Sequence, residues 1–276
     1  LDNSLKHSLM SLPPQQQKLL DNVFPVEYQN IMSLHCKDLF CNALISIVKQ
    51  YDSIDELGYK CIIDTVKKGT LNEHNYTRLF PRLKDIKRPY FNCPLSNLKA
   101  VILVPEPYNN GESTGIPFEL FKFNNEGYSN YKPLHRLSAF QQNVDCVEEY
   151  VGLTYNEGFP TCRTIDFDKL LANGVLVIHA SLTSVEKTEL AHFRTWYQFT
   201  IEFVNNLLSY NPNLIISSIG EILQKTLISI PKIISAPNAY YTMEDRLAFR
   251  QFNLIEKINT RLADLQLDIL TLNELY

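Results

Sequence analysis

The 276-residue sequence lacks the signals of several large protein classes. No apolar run approaches the roughly 20 residues that a helix needs to cross a membrane, and there is no internal repeat. Glycine is scarce, with nine in the chain, and neither a G-x-G-x-x-G motif nor a P-loop occurs. The sequence therefore gives no indication of a membrane protein or of a nucleotide-cofactor fold.

Metal-site spacings are missing as well. The six cysteines form no C-x-x-C pair, and the six histidines have no zinc spacing. We therefore expect no metal and no cofactor. The cysteines are expected to be buried thiols in a reducing, intracellular compartment rather than disulfides. The first ten residues, LDNSLKHSLM, lack the pattern of a secretory signal.

An excess of positive charge is absent too. The formal net charge is −4, which is not typical of a protein that coats nucleic acid through bulk charge. A nucleic-acid partner would need a local basic patch. The stretch Arg82, Lys84, Lys87 and Arg88 is a candidate for DNA contact, although such a run is more often a solvated face.

The sequence does contain short apolar runs that alternate with helical stretches. Residues 1–90 are predicted to be mostly helical, with helices over 37–51 and 54–69 and a basic, proline-punctuated connector over 82–94. After them the pattern changes, and β-branched runs bounded by turn residues predict strands at 99–104, 174–181, 213–219 and 232–235. Helices are predicted at 166–173, 194–210 and 221–228, with one long helix over 243–266.

This alternation predicts an α/β fold with three layers, α/β/α, around a central parallel sheet of about four strands. The α/β domain is predicted to span residues 91–276, with residues 1–90 as a helical N-terminal region packed on its core. Ligands of such sheets bind beyond the carboxyl ends of the strands. We therefore expect the site where residues 105–110, 179–184, 220–221 and 235–241 meet.

Taken in order, these stretches resemble the uracil-DNA glycosylase superfamily over roughly residues 75–265. KAVILVPEPYNN (99–110) is similar to the family's strand and water-activating loop, Gly-Gln-Asp-Pro-Tyr-His. TGIPFE (114–119) falls at the uracil-stacking phenylalanine and looks most like the poxvirus members. LLANGVLVIHASLTSV (170–185), AHFRTWYQFT (191–200), IGEILQK (219–225) and SAPNAYYTMEDRLAFRQF (235–252) resemble the later motifs, which end in the DNA-penetrating loop and its helix.

The resemblance implies that several catalytic positions are substituted. Glu106 stands at the aspartate that positions water, about one methylene or 1.5 Å further out. His179 stands at the asparagine that reads the uracil edge, and Asn109 replaces a histidine. Ala236, or Ser235 if a gap is allowed, stands at the histidine that stabilises the leaving uracil. Glu221 stands at a serine that meets a DNA phosphate, where a carboxylate would repel the backbone.

Other positions match the family. The resemblance implies that Tyr108 excludes the thymine methyl, that Phe118 stacks on the base, and that Tyr240 or Tyr241 wedges into the base stack. Pro107, Gly220, Pro237 and Asn238 lie in the loops that would contact DNA.

Each of these residues also has a structural interpretation. Glu106 could be a solvated turn residue, His179 a hydrogen-bonded residue at a strand end, and Tyr108 and Phe118 core aromatics. His192 is expected to cap or pack at the start of its helix rather than to act as a base.

Two functions remain open at this point. The first is a non-catalytic or strongly impaired member of the fold in DNA replication or repair, acting as a DNA- or partner-binding subunit, as viral processivity components of this fold do. It would bind DNA weakly and salt-dependently and need a protein partner such as a replication factor. The second is an active glycosylase with a rebuilt pocket. The resemblance implies a location in the nucleus or in a viral replication compartment.

Overall fold

The computed structural model describes residues 12–50, 79–109, 113–121, 133–135, 167–185, 188–239 and 243–271. Two sequence predictions lie outside these ranges, namely the helix over 54–69 and the wedge residues Tyr240 and Tyr241. None of the described helices is long and apolar enough to span a membrane.

The described strands are, in chain order, β1 (Leu79–Phe80), β2 (Ala100–Val104), β3 (Glu119–Phe121), β4 (Pro133–His135), β5 (Val175–His179), β6 (Ser184–Val185), β7 (Ile215–Ile219) and β8 (Ile234–Ala236). The described α-helices are α1 (Pro14–Val23), α2 (Val26–Ile31), α3 (Leu34–Gln50), α4 (Arg88–Asn92), α5 (Phe167–Ala172), α6 (Phe193–Tyr210), α7 (Glu221–Thr226), α8 (Met243–Phe252) and α9 (Leu254–Asp264).

The centre of the fold is a four-stranded parallel sheet with the strand order β5-β2-β7-β8. Every residue of β2, β5 and β7 is buried, as expected for parallel strands that are covered on both faces. The register places Val104 beside His179 and Ile219 beside Ala236. The carboxyl ends of the strands therefore meet at one edge, and the predicted three-layer α/β fold with a parallel sheet of about four strands is confirmed.

The N-terminal helices share a core with α6. Phe24 contacts Tyr90 with ring centroids 4.5 Å apart, and Phe40 lies 5.8 Å from Trp196. The Tyr28 hydroxyl donates a hydrogen bond to the Cys93 carbonyl oxygen at 2.7 Å. These contacts bury large aromatic area at the junction, while the division of the chain at residue 90 stays a prediction.

The predicted single helix over 243–266 is wrong. Helix α8 ends at Phe252, and α9 begins at Leu254 after Asn253, which has a left-handed φ of 51°. Asparagine adopts this conformation more readily than most residues, and a left-handed residue ends an α-helix. Because the apolar residues continue across Asn253 at helical spacing, periodicity alone could not show the break.

The stretch predicted as a basic connector is folded and partly buried. It forms a 3₁₀ turn (Leu83–Asp85) and α4. Arg82 pairs with the buried Asp85, and the Arg88 guanidinium donates to the Thr114 carbonyl oxygen at 2.9 Å. Both arginines thus bond to the protein itself, whereas Lys84 and Lys87 are exposed.

Two short antiparallel pairs join the parallel sheet. Strand β1 pairs with β6, and β3 pairs with β4. The first pair attaches residues 79–80 to the segment that follows β5, close to the carboxyl edge of the sheet.

Candidate functional site

A cavity of about 140 Å³ lies at the carboxyl edge of the sheet. A cavity of roughly 150 Å³ holds one benzene ring, so this volume suits a single six-membered ring. Six of the residues that the resemblance places at the site share its lining, although they come from three separate segments. The lining residues are Val104, Glu106, Pro107, Tyr108, Asn109, Phe118, His179 and Glu189.

The first two loops leave the sheet side by side. The Ala180 backbone N–H donates to the Val104 carbonyl at 2.7 Å, and that of Ser181 donates to the Pro105 carbonyl at 2.9 Å. These bonds extend the parallel ladder by two residues beyond the strand ends. As a consequence, the segment that begins with Pro105 is fixed against the segment that follows His179.

Glu106 has a specific backbone partner. The backbone N–H of Leu190 donates to both carboxylate oxygens, each at 2.9 Å. Burial raises the pKa of the Glu106 carboxyl to about 7; the Leu190 N–H lowers this pKa, and the negative charge of Glu189 raises it. At neutral pH the protonated and the ionised form of the side chain are therefore both accessible, so it can donate or accept a hydrogen bond.

His179 ends β5 and is 6% exposed. Burial lowers the pKa of its imidazole to about 3, so the ring is neutral at neutral pH. Within the described residues, the ring makes no hydrogen bond.

Phe118 is held in a strained conformation. Its φ is 66°, which is rare for a bulky residue, and its buried ring stacks on Phe167 with centroids 6.4 Å apart. The preceding Gly115 has a φ of 89°, and a side chain there would overlap the Asp85 carbonyl oxygen. Strain of this kind occurs preferentially at functional sites, and here it points an aromatic ring into the cavity.

The third and fourth loops meet at Gly220. This residue has a φ of 101°, and a Cβ atom there would lie 2.8 Å from Asn238 Oδ1 and 3.5 Å from Pro105 Cγ. The Gly220 N–H donates to the Ala236 carbonyl at 3.0 Å. The loop after β7 is therefore in contact with both the first and the last loop of the edge.

The other described residues that were predicted for the site are not in the cavity lining. Ala236 is fully buried at the end of β8, while Pro237 and Asn238 are half-buried. The Glu221 side chain is 74% exposed, and its carboxylate lies 3.9 Å from Lys225 Nζ. The predicted DNA contacts of Gly220, Glu221, Pro237 and Asn238 stay predictions.

His192 has a structural environment. It is buried at the start of α6, where its Nδ1 lies 2.9 Å from Thr183 Oγ1, which also accepts a hydrogen bond from Trp196 Nε1 at 2.8 Å. Burial lowers the pKa of His192 to about 4. The ring is thus neutral and packed at the helix start, away from the cavity.

Glu189 and Leu190 also contribute to the site, although no sequence motif points to them. They lie in the segment VEKTEL (185–190), between two of the family-like motifs, and no motif or periodicity distinguishes them. Leu190 contributes its backbone N–H, which every residue except proline has. The described residues include no group of His, Cys, Asp and Glu side chains able to hold a metal ion.

The chain is similar to known uracil-DNA glycosylases in sequence and in fold. No family model matches the chain. The curated uracil-DNA glycosylase of Fusobacterium nucleatum subsp. nucleatum is 27% identical over 144 residues, which are 51% of this chain and 56% of that protein. The match thus spans about half the length of this relative.

Two solved structures share the fold. The mimivirus uracil-DNA glycosylase superposes with a TM-score of 0.55 and 15% identity, over 91% of this chain and 87% of that chain. A mimivirus UNG variant in complex with UGI superposes with a TM-score of 0.56 and 16% identity, over 91% of this chain and 89% of that chain. The chain has the uracil-DNA glycosylase fold, and the resemblance to that superfamily is confirmed; the likeness to poxvirus members stays a prediction.

Proposed function

We propose that this uracil-DNA glycosylase-like protein acts in DNA replication or repair as a DNA- or partner-binding subunit, with base excision absent or strongly impaired. The observation that carries the proposal is a base-sized cavity lined by Phe118, Tyr108 and the Glu106 carboxylate. The resemblance adds that Ala236, or Ser235 if a gap is allowed, stands at the position of the donor to the leaving base. The substrate, the partner and the cellular compartment are all part of the proposal.

The chemistry of base excision explains why Ala236 matters. Cleavage of an N-glycosidic bond needs a carboxylate near the developing sugar cation and a hydrogen-bond donor to the departing base anion. Ala236 offers a methyl group, is fully buried, and is not in the cavity lining. Its carbonyl oxygen accepts from Gly220 N and Gln224 Nε2, and its methyl side chain has no hydrogen-bond donor to offer a base.

Glu106 supports the second candidate, an active glycosylase with a rebuilt pocket. Its carboxylate lines the cavity and is fixed by the Leu190 N–H. A carboxyl group with a pKa of about 7 can also transfer a proton at neutral pH. The lost histidine and the longer side chain nevertheless weigh against efficient catalysis, because each such change typically costs on the order of 100-fold in rate.

An excision assay separates the two candidates. The full chain is incubated with single-stranded and duplex DNA that contain one uracil, and released uracil is measured against an active family member. We expect release to be absent or lower by on the order of 10⁴-fold, the product of two losses of about 100-fold. Release at a rate near that of the active family member would reject the proposal.

If release is detectable, Glu106→Gln should abolish it, because the amide carries no negative charge. Glu221→Gln is the matched control, since it removes an exposed carboxylate at the same edge of the sheet without changing the cavity lining. Activity that survives Glu106→Gln would exclude Glu106 as the essential carboxylate.

A further inference from the structure

Two polar side chains in the cavity lining, those of His179 and Asn109, make no hydrogen bond to a described residue. The His179 ring lines the cavity and has no hydrogen bond within the described residues, in contrast to His192, whose Nδ1 is engaged by Thr183. Asn109 also lines the cavity, and its amide likewise makes no hydrogen bond to a described residue. Neither side chain therefore has its donor and acceptor ends fixed by the protein.

A neutral imidazole carries its proton on either nitrogen, and the partner of the second nitrogen decides which one. Burial keeps the His179 ring neutral. Because no described residue hydrogen-bonds to the ring and selects one tautomer, the nitrogen that faces a bound base can donate or accept. This differs from an anchored amide, which presents its donor and its acceptor at fixed places.

Along the edge formed by ring positions 3 and 4, uracil and cytosine differ only in which atoms donate and which accept hydrogen bonds. Uracil presents an N3–H donor and an O4 acceptor, whereas cytosine presents an N3 acceptor and an N4–H donor. The two rings have the same size, and both match a cavity of about 140 Å³. A site that discriminates between them must therefore fix the direction of its hydrogen bonds.

The two glutamates in the lining do not select one pyrimidine. Burial raises the pKa of the Glu106 carboxyl to about 7, so its protonated and ionised forms are both present at neutral pH and it can donate or accept. Glu189 is exposed and lines the cavity, and a carboxylate can accept from the uracil N3–H or from the cytosine N4–H. Hydrogen bonds to Glu106 or Glu189 are therefore available to both pyrimidines.

We propose that the cavity binds uracil and cytosine with nearly equal affinity, and that His179 determines this relaxed specificity by changing its tautomer between the two complexes. The inference rests on the proposed function in one respect, namely that the cavity holds a base. Purines are excluded because the cavity accommodates one six-membered ring.

Titration of the full chain with free uracil, cytosine and adenine tests the proposal. The chain is labelled with ¹⁵N-histidine, so that the spectrum reports both the dissociation constants and the protonated nitrogen of each ring. We expect the constants for uracil and cytosine to agree within about threefold, with adenine at least about tenfold weaker. The His179 ring shifts should show different tautomers in the two complexes, while His192, engaged by Thr183, serves as the unchanged internal control.

Substitution of His179 tests the same proposal from the side of the protein. In His179→Phe, which keeps a ring and removes both nitrogens, the affinities for uracil and for cytosine should fall by about the same factor. His179→Gln is the second variant; its unanchored amide can exchange its donor and acceptor ends by rotation, so the two affinities should stay within about threefold of each other. A loss of affinity for one pyrimidine alone in His179→Phe would contradict the proposal.

The possible results separate a failure of the relaxed base specificity from a failure of base binding itself. A wild-type preference for uracil of tenfold or more, or one tautomer of His179 in both complexes, would overturn the inference and leave a base-binding cavity in place. Adenine binding equal to that of the pyrimidines would overturn it as well, because the binding would then be stacking outside the cavity. No binding of either pyrimidine at millimolar concentration would reject both the inference and the base-binding function.

Discussion

The Glu106 carboxyl gives the protein a pH-dependent stability. Its pKa is 4.5 as an isolated group and about 7 in the folded chain, chiefly because burial disfavours the charged form. Between these two values the folded state binds more protons than the unfolded state, so this group lowers stability as the pH rises from about 4.5 to 7. Above pH 7 the loss of folding stability caused by Glu106 is complete.

We therefore expect Glu106→Gln to be more stable than the wild type at pH 8, by on the order of 1–3 kcal/mol, and nearly equal to it at pH 5. The glutamine carbonyl can still accept the Leu190 N–H. Urea unfolding at both pH values measures the difference, with Glu221→Gln as the exposed control that should change stability little. If the Glu106→Gln variant were less stable than the wild type at pH 8, the ionised carboxylate would be shown to stabilise this loop.

The same residue illustrates what sequence could and could not predict about the site. Proline punctuation after an apolar run placed Glu106 at the carboxyl end of a strand, and the order of the motifs placed Phe118 and His179 near it. The Leu190 N–H that holds the carboxylate lies 84 positions further along the chain. Such a contact depends on how two loops pack, which local propensity and periodicity do not encode.

Helix α6 is joined to the end of β5 by a buried hydrogen-bond network. Thr183 Oγ1 accepts from the Trp196 indole and contacts His192 Nδ1, and all three side chains are buried. Thr183→Val keeps the shape and removes one hydrogen-bond partner from each of two buried polar groups, at about 1–3 kcal/mol each. We expect a loss of about 2–4 kcal/mol in urea unfolding.

Thr183→Ser is the matched control for this network. It keeps the hydroxyl and removes one methyl group, which costs about 1 kcal/mol. If the serine variant lost as much stability as the valine variant, packing rather than hydrogen bonding would hold α6 in place.

The turn between β7 and α7 depends on a glycine that touches the last loop. Gly220→Ala introduces a left-handed strain of about 1–3 kcal/mol and a Cβ atom 2.8 Å from Asn238 Oδ1. We expect a loss of stability of that order, part of which is recovered in the double variant Gly220→Ala/Asn238→Ala. A double-mutant cycle by urea unfolding measures the coupling. Strict additivity would mean that the two loops do not meet at this point.

At the level of elements, the sequence predicted the repeating part of the fold and missed its interruptions. The four apolar strands follow from runs such as VILV and IISSI, which can be buried on both faces. The antiparallel pair of β1 with β6 joins segments about a hundred residues apart, and two-residue strands carry no periodicity. The break at Asn253 depends on one residue's left-handed backbone, so apolar spacing could not reveal it.

For the whole molecule, the charge around the cavity opposes the function that the cavity suggests. An aromatic pocket gains about 1–3 kcal/mol from each stacked base. Phosphate contacts usually dominate affinity for DNA, yet Glu189 and Glu221 are exposed at this edge and the net charge is −4. Arg82 and Arg88 are engaged within the protein. A partner protein that supplies positive charge would resolve this opposition.

We therefore expect the isolated chain to bind single-stranded DNA weakly and with a strong dependence on salt, as measured by a fluorescence titration at about 50 and 200 mM salt. Glu221→Ser should tighten binding by about threefold or more at low salt, because the resemblance implies a DNA phosphate at this loop, where the variant removes one negative charge and supplies a hydroxyl. Asp268→Asn is the matched control. It removes one negative charge next to Leu267 in a second cavity, at the amino ends of the strands near Lys99.

Equal tightening by Glu221→Ser and Asp268→Asn would indicate that net charge acts on DNA from a distance rather than through the loop after β7. Tight binding by the isolated chain that does not change between the two salt concentrations would reject the partner-dependent model. Stacking in the cavity would then outweigh the repulsion from its acidic edge, and the affinity should fall when Phe118 is replaced by leucine, which keeps the apolar volume and removes the aromatic face.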